Sequence, residues 1–391
     1  MTSNSFYNHI AQTSEGPMGL EISHAKGPFL YTTDDRRFVD FISGIAVSSL
    51  GHGHPDVIKA VKEQVERHMH VMVYGEFIQK PQADLAELIT ANLPQDLDRI
   101  YFTNSGTEAN EGALKLAKKY TGRTQFLAFN NSYHGDTHGS LSVTGRKVYR
   151  DPYLPLLPDV EFADFNQNSA LGQITRKTAA VIMEPIQGEG GIIPAEGAWL
   201  KAIRQRCDEM GALLIFDEIQ SGFGRTGTFF VFEHYGVVPD ILSMAKAMGG
   251  GMPLGGFAAS SEIFEVFKNE PPLNHVTTFG GHPVSCAAAL ASLNVLLNDN
   301  LMERANHIEE RAKAILQHKA IVDLRGKGAM LGLQLQTVEQ TQKVVERCHE
   351  KGILLGWTLH SNTLIRLAPP LTIPDDLLVE VLETIQTSVS G

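Results

Sequence analysis

From about residue 55 onward the chain alternates helical stretches with short, unbroken apolar runs. The runs are Ile100-Tyr101-Phe102, Phe126-Leu127-Ala128-Phe129, Ala180-Val181-Ile182-Met183, Leu213-Leu214-Ile215-Phe216 and Ile241-Leu242. Runs of this length with no polar interruption, spaced by helices, predict strands buried on both faces of an open, mostly parallel sheet. In such sheets ligands gather at the carboxyl ends of the strands. Each run here is followed by polar groups: Asn104-Ser105-Gly106-Thr107, Tyr133-His134-Gly135, Glu184, Asp217 and Lys246. The first fifty residues follow a different pattern. A short helix is expected, then a small antiparallel patch in which Pro28-Phe29-Leu30-Tyr31 and Phe38-Val39-Asp40-Phe41 flank the polar turn Thr33-Asp34-Asp35-Arg36. After Gly281 an Ala-rich helix from Cys286 to about Leu297 opens a further region. That region runs through Leu324-Arg325-Gly326-Lys327-Gly328 to a last helix after Pro374.

Composition narrows the class. The chain has 391 residues and 43% hydrophobic content, enough for a large core and two to three domains. Its net charge of −11, with no basic block, is a poor match for nucleic acid or an anionic membrane. Cys207, Cys286 and Cys348 are odd in number and widely spaced, so neither a disulfide framework nor a metal set is expected, and a reducing cytoplasm is. The N-terminal residues show no charged leader with an apolar core, and no apolar stretch is long enough to span a bilayer.

Lys246 carries the most chemical information. It follows Asp240-Ile241-Leu242-Ser243-Met244-Ala245 and precedes Gly249-Gly250-Gly251. An ammonium is costly to keep dry, so the pKa falls or the amine is covalently held. An aldehyde cofactor bound as a Schiff base is the simplest such tie. Asp217, at the end of a buried strand, is the acid that would keep a pyridinium nitrogen protonated. Together the two residues point to pyridoxal 5′-phosphate. Ser105-Gly106-Thr107 opens a helix from Glu108 to Tyr120, whose Ala109, Ala113, Leu116, Ala117 and Tyr120 form a buried face. The free N–H groups at that start suit a phosphate. Taken alone, Ser105 or Thr107 reads as an ordinary cap; with Lys246 and Asp217 present, the phosphate is the better reading. Tyr133 could stack on a flat ring, Ile219 could pack on its other face, and Gln220 could reach a ring hydroxyl. Each also has a plain reading as a core or loop residue.

Two further patterns bear on the function class. Gly222-Phe223-Gly224-Arg225-Thr226-Gly227 matches the dinucleotide fingerprint, which would make a nucleotide-dependent oxidoreductase the distant alternative. Polar residues separate it from the strand, no clear helix follows, and no acid ends a strand about twenty residues on. The histidine pairs His52/His54, His68/His70 and His134/His138 lack a converging third ligand, so no metal is expected.

These motifs resemble the class III aminotransferases, the fold-type I pyridoxal-phosphate enzymes that include acetylornithine, ornithine and 4-aminobutyrate aminotransferases. The likeness spans nearly the whole chain. It rests on Asp40 to Val47 with Gly51-His52-Gly53-His54-Pro55, Asn104 to Glu111, and Glu184-Pro185-Ile186-Gln187-Gly188-Glu189-Gly190. Asp217 to Gly227, Asp240 to Gly251, Thr278-Phe279-Gly280-Gly281 and Arg366-Leu367-Ala368-Pro369-Pro370-Leu371 complete it. The resemblance implies an α/β fold with a large cofactor-binding domain over residues 55–281. A smaller α+β domain would be built from residues 1–54 and 282–391.

The resemblance also implies roles. Lys246 would bind the cofactor and then shuttle the proton, and Asp217 would pair with the pyridine nitrogen. Ser105, Gly106 and Thr107 would hold the phosphate, with Glu184 and Gln220 beside the cofactor, and Tyr133 and Ile219 would enclose the ring. Thr278 would reach the phosphate of a neighbouring subunit's cofactor, implying a homodimer or larger assembly. Arg366 and Glu189 resemble the family's carboxylate gate, with Glu189 pairing Arg366 until a keto-acid carboxylate takes its place. Val47 and Tyr74 would shape the donor pocket. One position departs: Asp136 stands where those three aminotransferases usually carry an arginine that grips a substrate carboxylate. There the chain is closer to diaminopelargonate-type members. Asp136 could receive a cationic amine, or simply cap the following turn, the reading slightly favoured here. The expected activity is transfer of a terminal (ω) amino group from an acetylornithine-, ornithine- or 4-aminobutyrate-like donor to 2-oxoglutarate by a ping-pong cycle. A diamine donor, or lyase or racemase chemistry on the same scaffold, is the alternative.

Overall fold

The computed structural model describes residues 2–358 and 361–390. Near the N-terminus β1 (Ile22–Lys26), β2 (Phe29–Thr32) and β3 (Arg37–Asp40) form the expected antiparallel patch. The short strand β15 (Ile353–Leu354) adds to it in parallel with β3, tying residue 40 to residue 354. The polar turn Asp34–Arg36 places Asp35 at φ 61°, and the Thr32 hydroxyl donates to the Arg36 carbonyl across it.

The core is a seven-stranded sheet built from β4 (Arg99–Thr103), β5 (Gln125–Phe129), β6 (Val160–Ala163), β7 (Thr178–Met183), β10 (Leu213–Asp217), β11 (Ile241–Met244) and β12 (Gly255–Ala259). Its order is β4-β12-β11-β10-β7-β5-β6. β12 runs antiparallel to both of its neighbours, and the other strands are parallel. Every residue of β7, β10 and β11 is buried, as the unbroken apolar runs require. Two strands escape the sequence pattern. β6 is an edge strand with Glu161 exposed, and β12 is made of Gly and Ala around a single Phe257. Of the face expected for the helix Gly106–Thr121, Ala109, Ala113, Leu116 and Ala117 are fully buried. Tyr120 is a correction: it is 36% exposed, and its hydroxyl donates to Glu262.

A two-stranded ribbon, β8 (Ile186–Gln187) with β9 (Ile193–Pro194), follows β7. Farther along, β13 (Ile321–Lys327), β14 (Met330–Leu335), β16 (Gly356–Thr358) and β17 (Ser361–Leu367) form an antiparallel sheet of order β13-β14-β17-β16. The Ala-rich helix spans Pro283–Asn298 and packs on the helices Pro55–Arg67 and Lys80–Ala91. The last helix is Asp375–Ser390. No described helix is long and apolar enough to cross a membrane.

Candidate active site

The parallel strands deliver their chemistry to one edge. Asp217 ends β10, level with Ser243 near the end of β11, and Glu184 follows directly after β7. Lys246 comes two residues after β11, Tyr133 four after β5, and Ser105 two after β4. Asp217, Glu184, Lys246, Tyr133 and Ser105 line one cavity of about 620 Å³. Val47, Gly106, Thr107, Asp136, Glu189, Ile219 and Gln220 line it too.

Lys246 is held in the left-handed region at φ 47°, an uncommon conformation for a residue with a side chain. The helical turn Lys246–Gly249 starts there, which turns the side chain away from the sheet and onto the cavity. Its amine makes no hydrogen bond or ion pair among the described residues. Burial lowers its pKa, against the opposing pull of Glu189, Asp217 and Glu184. A half-buried amine with no partner is a nucleophile available to an aldehyde.

Asp217 is 5% exposed and fully engaged. Its Oδ2 accepts from Asn110 Nδ2 and lies within hydrogen-bond distance of His134 Nδ1, both at 2.8 Å, and its Oδ1 accepts from the Ile219 amide at 3.1 Å. Three partners fix the carboxylate's plane. The pattern of runs and motifs did not reveal the two side-chain partners. The signal is present for Asn110, a polar residue inside the apolar stripe Ala109/Ala113, and for His134, one of the polar groups that follow the strand runs.

At the start of the helix Gly106–Thr121, Ser105 is the N-cap and its Oγ accepts from the Glu108 amide at 3.3 Å. The cap and the phosphate cradle therefore coexist, because the Gly106 and Thr107 amides make no hydrogen bond among the described residues. Position 106 favours glycine. A Cβ there would come within 2.8 Å of Ile219 Cδ1, so Ile219 lies against the mouth of the helix. Glu184 accepts from the amides of Tyr133 at 2.9 Å and Gly188 at 2.7 Å, and burial pushes its carboxyl up to about 7. Gln220 donates to Glu189 Oε1 at 3.3 Å, while its own Oε1 is buried without a partner.

Arg366 and Glu189 are 4% and 6% exposed and meet at 2.6 Å through Nη2 and Oε1. Arg366 lies on β17 between Gly332 of β14 and Gly356 of β16, so no neighbouring side chain crowds it within the sheet. Asp136 is exposed at the cavity, and its Oδ2 accepts from Tyr133 Oη at 2.7 Å. The favoured cap reading is corrected here. The next helix, His138–Val143, has Thr137 as its N-cap and no side-chain cap bond. Val47 borders the cavity, whereas Tyr74 and Thr278 do not: Tyr74 Oη meets the Met72 sulfur at 2.9 Å, and Thr278 is exposed. Gly222–Gly227 opens no helix. It is a tight turn around Arg225, which is fully buried. Arg225 donates from Nη1 to the Pro369 carbonyl at 2.5 Å and the Ala329 carbonyl at 3.4 Å, and from Nη2 to Ser49 Oγ at 2.9 Å. Burial lowers its pKa to about 10. Among the described residues no group of three or more His, Cys, Asp or Glu is placed to hold a metal.

The residues present fit pyridoxal phosphate. A partnerless amine stands at one end of the cavity, a fixed carboxylate at its base, two open amides at a helix start, and an aromatic and an aliphatic side chain on its walls. Comparison with known proteins agrees. The model of the family described as aminotransferase class-III matches residues 10–389. The chain is 43% identical to an acetylornithine aminotransferase of Methanopyrus kandleri, over 91% of each chain. It is 42% identical to one of Methanosarcina acetivorans, over 96% of this chain and 93% of that one. Among solved structures, a transaminase from the marine bacterium Virgibacillus superposes with a TM-score of 0.93 at 26% identity, covering 100% of this chain and 98% of that one. The ornithine aminotransferase of Toxoplasma gondii, described with partial occupancy of pyridoxal phosphate at its active site, gives 0.91 at 28% identity over 99% and 93%.

Proposed function

The chain belongs to the class III aminotransferases and is a pyridoxal-phosphate-dependent transaminase, and from that premise we propose that it moves a terminal (ω) amino group to 2-oxoglutarate by a ping-pong cycle. The donor is of the acetylornithine, ornithine or 4-aminobutyrate kind. The observation that carries the reading is the pairing of Glu189 with Arg366 beside the Lys246 cavity. A lyase or racemase has no second keto acid to admit, so it has no use for an arginine held in reserve.

When bound, pyridoxal phosphate supplies an aldehyde to take the amino group and a ring to take up the electron pair freed at the donor carbon. The remaining work falls to the chain. Lys246 would hold the cofactor through its amine and would serve as the proton carrier beside the reacting carbon; burial lowers its pKa, which favours the neutral amine that role needs. Asp217, fixed by Asn110, His134 and the Ile219 amide, would favour a protonated nitrogen on the bound ring. The Gly106 and Thr107 amides, with Ser105, would hold the phosphate, while Tyr133 and Ile219 would shield the bound ring from water. Glu184 and Gln220 would lie beside the bound cofactor. Glu189 neutralises Arg366 during the donor half-reaction and yields it to the acceptor's carboxylate in the other. Val47 shapes the donor side.

The active unit in this reading is at least a homodimer. Met69, Phe77, Ile78, Val276 and Phe279 are exposed, Ile78 completely, and a second copy covering them would bring Thr278 to its neighbour's cavity. Lys246→Ala tests the centre. Turnover is expected to fall at least about a thousandfold, and sustained multiple turnover by that variant would refute the assignment.

A further inference from the structure

We propose that His282 is a positioning residue: as the neutral N-cap of the helix Pro283–Asn298 it sets the segment that carries Thr278, and its protonation in mild acid loosens one subunit's hold on its neighbour's cofactor. The proposal rests on the homodimer reading above, in which Thr278 reaches across. Thr278 lies between two anchors. On one side Thr277 Oγ accepts from Asn104 Nδ2 at 3.2 Å and from the Gly280 amide at 3.1 Å, which ties the segment to the neighbour of Ser105. On the other, the His282 amide donates to the Phe279 carbonyl at 2.9 Å, and Gln82 Nε2 donates to the Gly281 carbonyl at 2.7 Å.

The surroundings of His282 favour an uncharged ring. The Val284 amide donates to its Nδ1 at 3.3 Å, and a protonated Nδ1 has no lone pair to accept with. The ring stands at the positive end of a helix of 16 residues, where a cation is disfavoured. His70 stacks on it with centroids 5.6 Å apart and planes 13° apart, and also packs on the Phe279 ring at 4.9 Å. Burial, then His70 and His68, lowers the pKa of His282 from the ordinary 6.5. His68 and His70 lie between the helices Pro55–Arg67 and Lys80–Ala91, both of which pack on Pro283–Asn298. Those helices also carry Glu63, Glu66, Arg67, Lys80 and Asp84, none of which acts on His282, and Lys80 takes Asp84 at 2.6 Å. No carboxylate among the described residues therefore offsets the two histidines. A folded-state pKa below the ordinary one gives a contribution that is complete above pH 6.5 and is lost as pH falls through the lowered value. Protonation removes the cap acceptor and sets a cation against the helix end. With His70 charged as well, two like charges face ring to ring. The anchor downstream of Thr278 then fails.

The test follows cofactor release from the holoenzyme into cofactor-free buffer, by absorbance, alongside the mass of the protein by light scattering. Between about pH 7.5 and about pH 5.5 release from the wild-type enzyme should quicken at least about tenfold, with a matching loss of dimer. The chain's pI of about 5.7 lies in this range, so variants are compared with one another at each pH. His282→Asn keeps a good N-cap that does not titrate, and its release should stay within about twofold across the range. His282→Ala has no cap, and at neutral pH it should already release cofactor as fast as the wild-type enzyme does in acid. The proposal is overturned if His282→Asn accelerates in acid as the wild type does, or if His282→Ala matches the wild type at neutral pH. In either case a wild-type dimer at neutral pH leaves the homodimer reading standing. A wild-type monomer that retains its cofactor there overturns that reading and this proposal with it.

Discussion

Two buried charges 2.6 Å apart, Glu189 and Arg366, are worth most to the proposed cycle when they come apart. Burying a pair costs desolvation that the contact only partly returns, so an incoming carboxylate that replaces Glu189 faces a modest barrier. Glu189→Gln keeps the shape and removes the charge that neutralises Arg366. The ω-amine half-reaction should slow about tenfold, and the glutamate half-reaction should hold or quicken. Stopped-flow measurement of both decides it, and equal slowing of the two would reduce the contact to a plain salt bridge. Residues differ sharply in how legible they were. Lys246 and Asp217 could be read because a lysine and an acid that close buried apolar runs are too costly to desolvate without a chemical use. Arg366 could not be read from its own neighbourhood; only the family likeness pointed to it, since its partner lies 177 positions away. Asn110 and His134 went unread as partners of Asp217 because a hydrogen bond across the sheet leaves no spacing along the chain.

At the scale of elements, unbroken apolar runs gave five of the seven central strands, and helix spacing gave the parallel arrangement. β12 was missed because Gly255-Gly256-Phe257-Ala258-Ala259 has almost no side chain to form a pattern, and its identity comes from what it packs against. The contact is close: a Cβ on Gly112 of the facing helix would lie within 2.2 Å of Phe257 Cε1. Phe257 cannot retreat, being fully buried among Tyr101, Phe264, Phe267 and His275. Gly112→Ala gains up to about 1 kcal/mol of helix propensity but overpacks the core by about 1–3 kcal/mol. The net loss should lower the urea midpoint and, because this helix starts at the phosphate cradle, weaken cofactor retention. Gly172→Ala, with open space around its Cβ, is the control and should leave the midpoint nearly unchanged.

For the molecule as a whole, Glu218 ties stability to pH. It is fully buried and accepts from the Val231 and Phe232 amides at 2.6 and 2.9 Å, and burial pushes its carboxyl up to about 8. The folded chain therefore keeps a proton that the unfolded chain releases near the ordinary carboxylate value of 4.5. Between those two values the folded state binds more protons, so stability falls as pH rises, by about 1.4 kcal/mol per pH unit at most. Below that window the contribution is constant, and above it the loss is complete. Glu218→Gln cannot titrate. The stability of the wild-type protein relative to this variant should decline between pH 5 and pH 8 in urea melts, and a flat difference would contradict the assignment. Arg225 has a consequence of another kind. Its guanidinium donates to Ser49, Ala329 and Pro369 through its two terminal nitrogens, so its acceptors come from early and late in the chain. While the polypeptide is still being made, the cation has left the ribosome and two of its three acceptors have not been synthesised. The interior around it has to stay open to water until the final strands arrive, so the large sheet cannot be sealed as a finished unit ahead of the residues that follow it.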